Sequence, residues 1–175
     1  MKIRRLNTVV LLFVAVVFYT CVKKPTYPDA PVITYQNFIR YGKNASNPDS
    51  AKLVITFTDN EGDIGLDQSD TTGPLFGNGK GNVCMVYFFD STGKNNWLPY
   101  DVNPQTPQID SQIVYFRVPL VLKDGEKAQP MKGLIFCRLD QPLSPFYKKF
   151  RYDVYMYDKA GNKSNRITTP AIILP

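Results

Sequence analysis

The chain has 175 residues, with 21 Lys and Arg against 15 Asp and Glu, and it contains no histidine. Without histidine, Ser-His-Asp and Cys-His nucleophile systems are excluded, as are all metal sites that use imidazole. Of the acidic residues only Glu61 and Glu126 are glutamates. Because Asp favours turns and Glu favours helices, this bias, together with 14 prolines, indicates a loop-rich β protein.

Residues 1–20 have the three-part pattern of a secretory signal. Three basic residues precede an unbroken apolar run of 11 residues, residues 9–19, and Thr20 and Cys21 close the segment. A membrane-spanning helix needs about 20 apolar residues, and this run is shorter. Once residues 1–20 are removed, 18 basic residues face 15 acidic ones, a balance that does not indicate a nucleic-acid partner.

The sequence Phe-Tyr-Thr-Cys at residues 18–21 resembles the lipobox of bacterial lipoproteins, although Phe18 and Tyr19 depart from its usual residues. The resemblance implies cleavage before Cys21 and acylation of that residue, with an uncleaved anchor as the alternative. Residues 21–31 then form a proline-rich tether. In Bacteroidota-type lipoproteins an acidic patch after the cysteine accompanies export to the cell surface. Lys23 and Lys24 stand there instead, which implies the periplasmic face of the outer membrane.

Short runs of alternating apolar and polar residues follow the tether, each bounded by Gly, Pro, Asn or Asp. Such alternation predicts strands with one buried and one solvated face. The predicted strands are Val32–Tyr35 with Phe38–Tyr41, Lys52–Thr58, Val83–Asp90, Gln112–Val118, Gly133–Leu139, Phe150–Tyr157 and Arg166–Leu174. About seven antiparallel strands at this spacing predict an all-β fold, an immunoglobulin-like or fibronectin type III-like β-sandwich, in one domain over residues 32–175.

The segment Asp-Lys-Ala-Gly-Asn at residues 158–162 resembles the last hairpin of many bacterial immunoglobulin-like modules. Gly161 and Asn162 suit the positive φ angles that such a tight turn requires. The hairpin occurs in modules of many functions, so the resemblance concerns the fold and leaves the function open.

An acidic loop, residues 59–67, directly follows the second predicted strand. It resembles an Asp-Gly-Asp-Gly-Asp-Ile-Gly loop of predicted Bacteroidota lipoproteins. Its alternating carboxylates can place several oxygens around one point, as Ca²⁺ requires. In an immunoglobulin-like strand order, the turn at residues 158–162 emerges at the same end of the sandwich. The candidate Ca²⁺ ligands are therefore Asp59, Glu61, Asp63, Asp158 and Asn162. The alternative is that these residues only cap turns through hydrogen bonds to the backbone.

Two further pairs of residues carry candidate roles. Trp97 and Tyr100 are candidates for stacking on a glycan, and the alternative places Trp97 between the sheets as a core residue. Cys84 and Cys137 are the cysteines left beside Cys21. They either form a disulfide, as an oxidising compartment allows, or remain buried free thiols.

Ser50, Thr71 and Ser91 each follow an Asp and precede a small residue or threonine. These three sites resemble Bacteroidota O-glycosylation sites, and all three are predicted to lie in loops. Residues 67–82 form a polar, glycine-rich stretch, which we call the polar loop.

Together these features predict a lipid-anchored lipoprotein of the outer membrane. Its function would be that of a non-enzymatic binding or structural module with an envelope protein as partner. The alternative function is that of a glycan-binding accessory lipoprotein of a polysaccharide-uptake system. An enzyme that hydrolyses its substrate with a carboxylate pair needs no histidine, but nothing in the sequence marks a cleft for it.

Overall fold

The computed structural model describes residues 24–41, 50–103, 105, 111–122, 125–139 and 147–174. The predicted signal segment, residues 1–20, and the predicted acylation site Cys21 lie outside these ranges. The described chain is all-β apart from one helical turn, α1 (Gly73–Phe76). Within the described ranges, no helix is long and apolar enough to cross a membrane.

Two antiparallel sheets, of three and six strands, form the domain. The described strands are β1 (Val32–Tyr41), β2 (Ser50–Asp59), β3 (Val83–Asp90), β4 (Trp97–Pro99), β5 (Ile113–Phe116), β6 (Met131–Leu139), β7 (Lys149–Met156), β8 (Ile167–Thr168) and β9 (Ile172–Ile173). The smaller sheet has the order β1-β2-β6. In the larger sheet β3 pairs along one side with β7, and β4 and β5 share its other side, while β8 and β9 pair with the far side of β7.

The prediction of an antiparallel all-β sandwich is confirmed. β2 and β7 lie in different sheets, and the backbone N–H of Lys159, after β7, donates to the carbonyl of Asp63, after β2. The loops after β2 and after β7 consequently meet at one end of the sandwich.

The core lies between the sheets and follows the predicted alternation. Leu53, Ile55 and Phe57 of β2 are buried, and so are Phe150 and Tyr152 of β7. Burial of these side chains is the main stabilising contribution, at about 1.5–3 kcal/mol for each large apolar group.

The structure differs from the predicted elements at three places. β4 and α1 are too short to carry a periodic pattern, and the sequence did not predict either. Ser50, predicted to lie in a loop, is the first residue of β2. The last predicted strand is divided into β8 and β9, because Pro170 between them has no N–H to donate to a ladder.

Asn165 connects the two sheets near the edge strand β1. Its Oδ1 accepts a hydrogen bond from the backbone N–H of Ile33 at 2.7 Å, and its Nδ2 donates to the carbonyl of Ile33 at 2.9 Å. Ile33 itself is fully buried. One side chain thus satisfies both backbone groups of a buried residue that lies 132 positions away in the chain.

The outer edge of the smaller sheet is β6. Among the described strands it pairs only with β2, along nine residues. Leu134 and Phe136 on its outward face are each more than half exposed, and Lys132 and Arg138 lie at exposed positions on either side of them.

Candidate metal centre

The acidic loop and the turn after β7 meet at one end of the sandwich. Asp59 is the last residue of β2, and Asp158 lies two residues beyond the end of β7. The backbone joins the two segments, because the N–H of Lys159 donates to the carbonyl of Asp63 at 3.0 Å. Two parts of the chain almost a hundred residues apart therefore form one continuous surface.

Three carboxylates converge at this junction. One oxygen each from Asp59, Asp63 and Asp158 lie within 4.8 Å of one another, and we call these residues the carboxylate cluster. Asp59 and Asp158 are completely buried, while Asp63 is partly exposed at the rim. The geometry therefore brings together three of the five candidate ligands that the sequence indicated.

Backbone hydrogen bonds fix the orientation of each carboxylate. Gly62 donates its N–H to Asp59 Oδ2 at 2.5 Å, and Ala160 donates its N–H to Asp63 Oδ2 at 3.1 Å. Asp158 Oδ1 accepts from the backbone N–H of Asn162 at 2.7 Å. Gly62 has a φ of +73°, and a Cβ there would lie 2.6 Å from the carbonyl oxygen of Gln129, so glycine is required at this turn.

The environment of Asp59 and Asp63 disfavours the charged form of each side chain. Burial raises the pKa of Asp59 to about 6, and the charges of Asp63 and Asp158 contribute to the rise. Burial and the charge of Asp158 raise the pKa of Asp63 as well. Within the described ranges, no Lys or Arg forms an ion pair with any of the three.

Glu61 and Asn162, the other two candidate ligands, are placed differently. The side chain of Glu61 is exposed and is not a member of the cluster. The amide of Asn162 donates to Asp158 Oδ2 at 2.9 Å and so holds a cluster residue in place. Because side-chain direction in an irregular loop depends on its φ and ψ angles, the spacing of the acids did not reveal this division.

A cavity of about 290 Å³ adjoins the exposed side of the cluster. Its lining includes Glu61, Asp63, Leu120, Leu122, Glu126 and Lys159. The segment that supplies Leu120 and Leu122 is held against the acidic loop by backbone hydrogen bonds, including one from Leu120 N–H to the Leu66 carbonyl at 3.2 Å. The sequence assigned no role to this segment, which has no periodic pattern.

The tether reaches the same end of the sandwich. The backbone N–H of Asn60 donates to the Pro28 carbonyl at 3.2 Å, and the Asn60 amide donates to Asp29 Oδ1 at 3.1 Å. The chain therefore enters the domain directly beside the acidic loop.

Trp97 and Tyr100 do not form one stacking surface. Tyr100 packs on the core side of the larger sheet, with its ring 6.0 Å from that of Tyr87. Trp97 lies on the outer face, where the Arg151 guanidinium is 4.7 Å and the Lys149 ammonium 5.6 Å from its ring centroid. The alternative that places Trp97 between the sheets as a core residue is therefore wrong. Arg151 and Lys149 make cation–π contacts with its ring, and stacking of Trp97 or Tyr100 on a glycan remains a prediction.

Cys84 and Cys137 are both free and buried, which corrects the disulfide hypothesis in favour of its alternative. Cys137 belongs to the core between the sheets, whereas Cys84 alternates with the core residues Val83 and Met85 and so lies on the outer side of its strand. Burial raises the pKa of Cys137 to about 12 and that of Cys84 above its usual value, which keeps both thiols protonated.

The three candidate O-glycosylation residues are all at least partly exposed. Thr71 and Ser91 are exposed in loops, and Ser50 is half-buried at the start of β2. Ser91 Oγ donates to the Asn96 carbonyl at 3.2 Å, which orders the β3–β4 turn. Their modification remains a prediction.

No protein-family model, no curated protein and no solved structure matches this chain. Its function must therefore be argued from its own residues.

Proposed function

We propose that this chain is a lipid-anchored, non-enzymatic binding or structural module of the outer membrane, oriented to the periplasm, with an envelope protein as its partner. The observation that carries the proposal is the attachment of the tether. Pro28 and Asp29 bond to Asn60, so the segment that begins at Cys21 ends against the loops of the sandwich. An acylated Cys21 would hold those loops close to the bilayer.

The length of the tether between Cys21 and the contact at Pro28 limits how far the domain lies from its anchor. Six residues, 22–27, separate Cys21 from Pro28. The seven Cα-to-Cα steps between them, at about 3.3–3.6 Å each, span no more than roughly 25 Å. A partner of the loop end must therefore be a membrane protein or a protein held at the same surface. Tethering of this kind works by raising local concentration, and it needs no chemistry at the loops.

The anchor is tested in a bacterial host that acylates lipoproteins, by metabolic labelling with an alkyne analogue of palmitate. We expect the wild-type chain to incorporate the label and to sediment with membranes. Cys21→Ser should abolish both, whereas Cys84→Ser, a control that removes a buried thiol, should retain both. Labelling that persists in Cys21→Ser, or a wild-type chain that stays in the soluble fraction without label, would contradict the proposal.

The partner is tested by cross-linking in intact cells through a photoreactive residue at the exposed position 61, beside the tether. A specific adduct with one envelope protein is expected. A matched probe at exposed Leu98, in β4 at the opposite end, should not give the same adduct. Identical adducts from both positions would contradict a role for the loop end.

A further inference from the structure

We propose that Asp59, Asp63 and Asp158 bind one Ca²⁺ ion that joins the acidic loop to the turn after β7. The inference goes beyond the proposed function, since an anchored module needs no metal. It rests on three observations: the unsatisfied oxygens of the cluster, its dimensions, and its uncompensated charge.

Turn capping accounts for only half of the oxygens of Asp59 and Asp63. In each residue Oδ2 accepts a backbone N–H, from Gly62 and from Ala160 respectively. In each residue Oδ1 is buried and has no hydrogen-bond partner among the residues that the structure describes. Asp59 is fully buried, and an unsatisfied oxygen on such a carboxylate is costly to folding. A cation ligated by both Oδ1 atoms would satisfy them and leave the caps intact.

The dimensions of the cluster suit Ca²⁺. Ca²⁺ binds oxygen at about 2.3–2.6 Å, so ligands on opposite sides of the ion are separated by about 4.6–5.2 Å. The three carboxylate oxygens lie within 4.8 Å of one another, which is inside the largest separation that two ligands of one Ca²⁺ ion can have. Mg²⁺ binds at about 2.0–2.1 Å and requires opposite ligands at about 4.2 Å or less, in stricter octahedral geometry.

The charge of the cluster favours a divalent cation. Three carboxylates face one another, and within the described chain no Lys or Arg forms an ion pair with them. A divalent ion would add three attractions that outweigh the mutual repulsions of the carboxylates. The adjoining cavity reaches Asp63, so the ion has a path from solvent and room to keep some of its water ligands.

The test is titration calorimetry of the full chain, purified in detergent and freed of metal with chelator. CaCl₂ is the probe, with MgCl₂ as the comparison ion. We expect one site with a Kd at or below about 1 mM for Ca²⁺, as in extracellular calcium sites, and weaker binding of Mg²⁺. At a hundredfold excess over Kd, Ca²⁺ should raise the thermal midpoint by about 5 to 10 °C.

The variants distinguish a bound ion from a hydrogen-bonded turn. Asp59→Asn and Asp63→Asn each keep an oxygen that can accept the backbone N–H but lose the charge, so each should raise the Kd at least tenfold. Glu61→Gln removes a neighbouring charge outside the cluster and should change the Kd by less than threefold. If Asp59→Asn does not fold, Asp63→Asn at the exposed rim decides the result.

Two results would overturn the proposal. One is the absence of saturable heat and of any thermal shift at 10 mM CaCl₂ in folded wild-type protein, which would mean that the carboxylates share protons instead of a metal. The other is an unchanged Kd in the folded Asp63→Asn variant. Neither result would bear on acylation at Cys21, which the labelling experiment measures separately.

Discussion

Asn165 provides the most direct test of how the two sheets are held together. Its amide makes hydrogen bonds of 2.7 and 2.9 Å to the N–H and carbonyl of Ile33, a fully buried residue of β1. A typical hydrogen bond contributes about 0.5–1.5 kcal/mol net, and a buried group left unsatisfied costs about 1–3 kcal/mol. Asn165→Ala should therefore reduce the free energy of unfolding by about 2–3 kcal/mol.

Urea denaturation followed by fluorescence would measure this loss, with the slope of the transition unchanged. Asn165→Asp keeps the acceptor for the Ile33 N–H but replaces the donor with a charged oxygen facing the Ile33 carbonyl, so it should cost at least as much as alanine. The control is Asn60→Ala, which removes a side-chain bond to the exposed Asp29 and should cost less than about 0.5 kcal/mol. A loss below about 0.5 kcal/mol in Asn165→Ala would refute the reasoning.

Three further predictions follow from single positions. Gly65→Ala should destabilise the domain by more than about 3 kcal/mol in urea unfolding, because φ is +108° and the new Cβ would lie 2.3 Å from a backbone carbonyl oxygen. Gly73→Ala is the matched control: φ is +85°, but among the described residues nothing lies within 4 Å of the new Cβ, so only backbone strain of about 1 kcal/mol is expected. Arg117 donates to three backbone carbonyls of the polar loop, so Arg117→Ala should accelerate hydrogen exchange there and leave exchange in β3 unchanged. Although burial alone would raise it, the pKa of Asp90 is held at about 2 by Lys149 and by backbone N–H groups. The charged Asp90 therefore stabilises the folded state fully above about pH 4, and this stabilisation is lost as the pH falls through 2. The difference in thermal midpoint between wild type and Asp90→Asn should shrink over that interval, and a constant difference would contradict this assignment.

The long strands could be predicted from the sequence because apolar and polar residues alternate in a strand that has one buried and one solvated face. In β2 the buried residues Leu53, Ile55 and Phe57 recur with period two, and the same holds for β7. β4 has three residues and ends in Pro99, which leaves no alternation to detect. Without alternation the sequence does not show which face of β4 Trp97 occupies, and here the Arg151 guanidinium lies over its ring on the outer face.

The carboxylate cluster was predictable only in part. The order of strands in a sandwich places the loop with Asp59 and the turn with Asp158 at one end, and that much follows from sequence. Which loop side chains turn inward depends on backbone angles that spacing does not encode. Gly62, with its positive φ, reverses the chain so that Asp59 and Asp63 converge while Glu61 faces solvent.

The outer edge of β6, which pairs with no described strand other than β2, has a consequence for the proposed lipid-anchored state. Nine-residue strands with exposed Leu134 and Phe136 are able to pair edge to edge, and the proposed lipid anchor would concentrate copies of the chain in two dimensions. An antiparallel pairing centred on Ile135, however, would set Lys132 of each copy opposite Arg138 of the other. Like charges at directly opposed positions repel, so this register of two neighbouring copies is disfavoured.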